Sequence, residues 1–209
     1  MTPEQVLALD WDKGDGLLPA VVQHAVNGSV LMLGYMNREA LHATLRQGQV
    51  VFFSRRRGSL WLKGETSGNY LNVISAVPDC DNDTLLIQAI PAGPACHKGT
   101  PTCFTDAVQS DAGKLGFLTQ LERVIAERIA QQPEGSYTAR LASQGARRIA
   151  QKVGEEGLEL ALASASGEDR EVIAECADLI YHVLVLLKSR NLSLTRIVEE
   201  LQARHADGK

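Results

Sequence analysis

Residues 78–104 read PDCDNDTLLIQAIPAGPACHKGTPTCF, and the reading of this stretch decides the character of the first half of the chain. Asp79, Asp81 and Asp83 alternate with Cys80 and Asn82, and Cys96 and Cys103 follow after an apolar run. Two kinds of ligand are interleaved. Thiolates are soft donors suited to zinc, and carboxylates are hard donors suited to magnesium or calcium. In an extended chain successive side chains point to opposite sides, so residues 79–83 would send the three aspartates one way and Cys80 and Asn82 the other. One short segment could then serve two metals. Three thiolates leave the fourth tetrahedral position of a zinc open to water, as a catalytic site requires. An Asp-Asn-Asp run also suits a solvated turn, and His97 beside Cys96 also suits an ordinary hydrogen-bonded histidine. The gathering of three thiols and His97 within 24 residues, beside three spaced acids, favours metal.

The chain has 209 residues, enough for one large or two small domains with real cores. Its net charge of -4 is evenly divided: 9 basic against 11 acidic residues through Lys114, and 12 against 14 after it. The lack of a basic half argues against nucleic acid as a partner. Residues 1–20, MTPEQVLALDWDKGDGLLPA, carry acids where a signal peptide needs basic and then apolar residues. No apolar run approaches the roughly 20 residues needed to cross a bilayer. The expectation is a cytoplasmic protein without membrane contact, whose reduced, clustered cysteines mean metal or catalysis more often than disulfides.

Outward from the opening stretch, two apolar segments, Ala20 to Val26 and Ser29 to Leu33, flank Asn27-Gly28, a strong hairpin signal. Asn37 can cap a short helix with Ala40, Leu41 and Leu45 on one side, ended by Gly48. Further strand-like segments at Val50 to Ser54, Leu60 to Leu62, Leu71 to Val77 and Thr84 to Ile90 complete a β-rich unit. Between them, SRRRGSLWLKGETSGN (54–69) is cationic and glycine-bearing. Arg55, Arg57 and Lys63 offer charge to a phosphate, and Thr66 and Ser67 offer hydroxyls. A solvated hairpin loop is the alternative, and Trp61 in this stretch suits the core.

Residues 104–114, FTDAVQSDAGK, lose periodicity and mark the boundary between domains at 1–114 and 115–209. Beyond it, Leu118, Leu121, Ile125 and Ile129 recur at helical spacing, and everything that follows is helix-patterned. On two later helices, Lys152, Glu156 and Glu159 share one stripe, and Glu168, Glu171, Glu175, Asp178 and His182 share another. Packed together, the helices would bring Glu156, Glu159, Glu175 and Asp178 to one place. Four converging carboxylates repel unless cations lie between them, which predicts a bound divalent ion, most simply magnesium. Lys152 among these acids suits a polyphosphate substrate. Leu158 and Leu162, apolar on another side of their helix, suggest a bundle completed by a second subunit.

These motifs carry a family resemblance. LMLGYMNREAL, FFSRRRGSLWLKGETSGN, PDCDNDTLL and GPACHKGTPTCF resemble phosphoribosyl-AMP cyclohydrolase, and SYTARL, RIAQKVGEEGLELALA and ECADLIYHVLVLL resemble phosphoribosyl-ATP pyrophosphohydrolase. That order matches the bifunctional enzyme of histidine biosynthesis. The resemblance implies two domains: an α+β, mostly β, zinc-binding domain, then an all-α bundle of the nucleotide pyrophosphohydrolase type. It implies that the second domain, binding an ATP-derived nucleotide, releases pyrophosphate from phosphoribosyl-ATP. The first then opens the adenine ring of phosphoribosyl-AMP by adding water at C6. It also implies zinc on Cys80, Cys96 and Cys103 from two subunits of a homodimer, with His97 moving the proton. Magnesium is implied on Asp79, Asp81 and Asp83 and on Glu156, Glu159, Glu175 and Asp178. The rival reading is a zinc-stabilised, non-catalytic interaction module fused to a general nucleoside-triphosphate pyrophosphohydrolase.

Overall fold

The structure, a computed structural model, describes residues 1–104 and 111–206. It divides into two compact units, Met1–Phe117 and Leu118–Lys209. Of the stretch in which the sequence loses periodicity, residues 105–110 lie outside the described residues, and Asp111–Leu115 is a short helix (α3).

The first unit runs α1 (Pro3–Leu7), β1 (Leu18–His24), β2 (Val30–Met36), α2 (Arg38–Gln47), β3 (Val51–Ser54), β4 (Ser59–Leu62), β5 (Leu71–Pro78) and β6 (Leu85–Pro91). Four strands form one sheet in the order β2-β1-β6-β5, and β3 and β4 pair as a separate hairpin. β1 lies parallel to β6, with Ala20 opposite Leu85 and Val22 opposite Ile87. Both strands alternate burial along their length, so Leu18, Ala20, Val22, Leu85, Ile87 and Ala89 enter one core.

The β1–β2 hairpin forms as its Asn-Gly pair predicts, but its connection is longer than two residues. β1 ends at His24 and β2 begins at Val30, while Asn27 accepts from the Ser29 amide and Gly28 takes φ 72°. α2 is capped as expected: Asn37 accepts from the Ala40 amide at 2.8 Å, and Gly48 closes the helix in the left-handed region at φ 69°. Ala40 and Leu41 are buried, but Leu45 is 37% exposed, because the buried face is completed by Ala43 and Thr44 instead.

Phe52 on β3 sits opposite Trp61 on β4, ring centroids 5.8 Å apart. Phe52 is fully buried because β2 has no side chain at Gly34; a Cβ there would stand inside the Phe52 ring.

The second unit is helical: α4 (Phe117–Gln131), α5 (Tyr137–Ser143), α6 (Ala146–Ser166), α7 (Asp169–Ser189) and α8 (Leu194–Ala206). α6 and α7 form a helical hairpin across Gly167 and Glu168. Its core gathers Ile125, Leu141, Ile149, Leu184, Val185 and Leu187. Leu158, Leu162 and Ile173 on the same pair of helices stay exposed. No helix among the described residues is long and apolar enough to cross a membrane.

Gly34→Ala forces Phe52 from its place in an otherwise filled core. Urea unfolding of the first unit is expected to show a loss of about 1–3 kcal/mol, with the second unit's transition unmoved.

Candidate active sites in the two units

A cavity of about 450 Å³ opens in the first unit where the end of β4, the loop after it and the loop after β6 meet. Cys96, His97 and Cys103 line it, together with Met32, Trp61, Lys63, Arg57, Thr66 and Ser67. The local backbone explains how the two thiols come together. Cys96 opens a tight turn, its carbonyl accepting from the Gly99 amide at 3.0 Å and its amide donating to Thr100 at 3.1 Å. Cys103 is then tied to β2: its amide donates to Leu31 at 2.8 Å, and the Thr102 hydroxyl donates to Val30 at 2.6 Å.

The surroundings shift the two thiols in opposite directions. The Lys98 amide, then the Thr100 hydroxyl, pull the Cys96 thiol down; burial, then Cys96 itself, push the Cys103 thiol up. Two cysteine sulfurs lining one cavity are a donor pair for a soft cation. His97 is exposed, its Nδ1 3.9 Å from the Cys96 sulfur. Lys63 is buried to 7% exposure, bonds the Asn69 carbonyl at 3.3 Å, and has its pKa lowered by burial. That carbonyl packs on Gly64, where a Cβ would stand 2.6 Å from it. Arg57 lines the cavity and pairs with Glu65 at 3.4 Å, whereas Arg55 lies over the Tyr35 ring at 3.7 Å and is not a lining residue.

Cys80 is elsewhere. It lies in the turn before β6, while Cys96 lies beyond that strand's other end, and seven residues of strand span about 20 Å. Among the described residues, Cys80 shares no three-donor cluster with the other two thiols.

Residues 79–83 are not extended. They reverse the chain between antiparallel β5 and β6, with the Asp79 amide donating to Thr84, the Asn82 amide to Asp79, and Asn82 at φ 62°. The idea that alternation sorts the aspartates from Cys80 therefore fails. The turn brings the aspartates together by another route: Asp79 accepts from the Asp83 and Thr84 amides at 3.1 Å each, and carboxylate oxygens of Asp79, Asp81 and Asp83 lie within 4.8 Å of one another. Lys13 reaches across to Asp81 at 2.6 Å and to Asp83, raising its own pKa and lowering that of Asp83.

In the second unit α6 and α7 bring Glu156, Glu175 and Asp178 within the same 4.8 Å limit. Glu159 stands at the edge of this trio. Desolvation, then the charges of Glu156 and Glu175, push its carboxyl above the usual range. Lys152 bonds Glu156 at 2.5 Å and Glu155 at 3.2 Å, which raises its pKa. Glu155 pairs with Arg148 and Lys152 and stays outside the trio.

The sequence placed His182 on the acidic stripe without a role, and the structure supplies its surroundings. Buried, it has Nδ1 at 2.8 Å from the Asp178 carbonyl and 3.7 Å from Glu156, and Nε2 at 2.9 Å from the Tyr137 hydroxyl. A carbonyl only accepts, so Nδ1 carries a proton, and Nε2 shares a hydrogen bond with the Tyr137 hydroxyl. No local pattern announces a partner 45 residues away.

Comparison with known proteins assigns both units. A family profile for phosphoribosyl-AMP cyclohydrolase matches residues 32–105, and one for phosphoribosyl-ATP pyrophosphohydrolase matches residues 118–205. The histidine biosynthesis bifunctional protein HisIE of Escherichia coli (strain K12) is 57% identical over 205 residues, covering 98% of this chain and 99% of the relative. The HisIE protein of Photobacterium profundum is 54% identical over 202 residues, covering 96% and 98%. The chain belongs to the HisIE family. It is a bifunctional hydrolase of histidine biosynthesis, with the thiol-lined cavity inside its cyclohydrolase part and the helical acid trio inside its pyrophosphohydrolase part.

A carboxyl whose pKa is raised on folding stabilises the folded chain below its ordinary pKa and loses that contribution as pH rises through the folded value. With chelator present, Glu159→Gln is therefore expected to raise the pyrophosphohydrolase unit's melting temperature at pH 8 and to leave it unchanged below about pH 4. Thermal unfolding followed at the two pH values checks this.

Proposed function

We propose that the pyrophosphohydrolase unit acts first, using Glu156, Glu159, Glu175 and Asp178 to hold magnesium against the triphosphate of phosphoribosyl-ATP. The cyclohydrolase unit then hydrolyses the product's adenine ring at a zinc site. The observation that carries this reading is the difference in donor types: a trio of carboxylates on the α6–α7 pair, and two thiols beside a histidine in the cavity. Each set fits its metal by charge and softness.

Cys96 and Cys103 would hold zinc here, and the metal would supply hydroxide at neutral pH by making water more acidic. The chain's own groups do the rest. Water adds at C6, the bond from C6 to the ring nitrogen breaks, and His97, exposed beside Cys96, moves the proton that the nitrogen takes up. Lys63, Thr66, Ser67 and Arg57, all lining the cavity, bind the phosphates, with Arg55 behind them at the Tyr35 ring. In the helical unit Lys152 exchanges its acidic partners for the substrate's phosphate oxygens, and His182 with Tyr137 keeps Asp178 and Glu156 in place. Asp79, Asp81 and Asp83 hold a second magnesium in the cyclohydrolase unit.

The protein works as a cytoplasmic homodimer in this reading. Cys80 of one copy joins Cys96 and Cys103 of the other, a reading supported by the strand length that separates these residues within one chain. Exposed Leu158, Leu162 and Ile173 in the helical unit, and Leu33 and Ile74 on the sheet, give a second copy apolar surface to cover.

Paired assays test the scheme. Cys96→Ala is expected to lose bound zinc and to lower ring opening by more than about a hundredfold, with pyrophosphate release within twofold of wild type. Asp178→Asn is expected to do the reverse at ordinary magnesium concentrations. Loss of both activities from either folded, dimeric variant would refute two independent sites, and chelator-treated protein that keeps both activities would refute metal dependence.

A further inference from the structure

The chain's two tryptophans are used differently. Trp11 is 3% exposed and belongs to the core. Trp61 is half-buried: it packs against the same core and also lines the cavity that holds Cys96, His97 and Cys103. A tryptophan serving only to fill the core has no reason to form part of that wall.

Its ring also packs against a buried aromatic neighbour. Phe52, 1% exposed, is its cross-strand partner, tilted 33° to it at 5.8 Å, and Phe52 is seated in turn by the missing side chain of Gly34. Two residues on, in the turn after β4, Lys63 lines the cavity as well. A flat, preset π face of this kind accepts an aromatic ring at little ordering cost. The compound that this unit opens carries one aromatic system, its purine, and that purine has to approach the thiols.

We infer that Trp61 is the platform on which the purine of phosphoribosyl-AMP stacks, a specificity residue that binds the base and takes no part in moving protons. The inference rests on the cyclohydrolase reading of this cavity. Stacking on an aromatic side chain changes affinity by between about fivefold and a hundredfold, so the effect belongs in KM.

The test uses the full chain. AMP, which carries the purine, is expected to quench tryptophan emission, and ribose 5-phosphate, which lacks it, is not. Trp61→Leu is expected to raise the KM for phosphoribosyl-AMP about tenfold with kcat within threefold. Trp61→Phe, which keeps a ring, should raise KM less than threefold and should abolish the quench, leaving only buried Trp11 to report. Unchanged KM in Trp61→Leu, a loss confined to kcat, or an AMP quench that persists in Trp61→Phe would overturn the inference. Should Trp61→Leu fail to fold, the quench in wild type and its loss in Trp61→Phe still decide. Normal turnover by wild type without any purine-dependent quench removes Trp61 alone, whereas no turnover of phosphoribosyl-AMP removes the cyclohydrolase reading with it.

Discussion

Like charges held close together are the constraint to which both units answer. Two unit charges 4 Å apart interact by about 4 kcal/mol at the effective dielectric of a protein surface, and each unit fixes three carboxylates within 4.8 Å of one another. Positive charge beside such an arrangement relieves the repulsion. In both units a lysine already stands there, Lys13 against Asp81 and Asp83, and Lys152 against Glu156. Lysine is a compact charge on a flexible stem, so it can follow the carboxylates it neutralises. The fold supplies the convergence by two unrelated means. A strand reversal gathers aspartates in the first unit, and helical periodicity across two packed helices gathers acids in the second.

Most of this architecture was legible because it is local. Asn37 and Gly48 bound their helix, Asn27-Gly28 turned a hairpin, and the spacing of Leu121, Ile125 and Ile129 drew a helical face that packs as expected. The metal-type donors were visible for a similar reason: thiols and spaced acids are scarce enough that their clustering carries information. Leu45 was misplaced because which of several adjacent small or apolar residues completes a buried face depends on what packs against it, and that is tertiary information.

Two further features lay beyond the reach of one-dimensional reading. The alternation argument for Asp79 to Asp83 assumed extended backbone where two antiparallel strands had to be joined, so the geometry differed although the aspartates still met. His182 and Tyr137 are joined only by the packing of α5 on α7. Cys80 is the opposite case: its type is plain, and among the described residues it joins no three-donor cluster with Cys96 and Cys103.

The pairing of β1 with β6 has a bearing on how the polypeptide reaches this state. Residues 20–24 pair with residues 85–89, so the central pair of the sheet cannot close until some sixty intervening residues have left the ribosome. The α6–α7 pair joins neighbours through a two-residue link. Contacts between distant segments slow folding and local ones speed it, so the helical unit, although synthesised last, is the quicker to settle, and the nascent sheet is the part most exposed to chaperones and to mispairing.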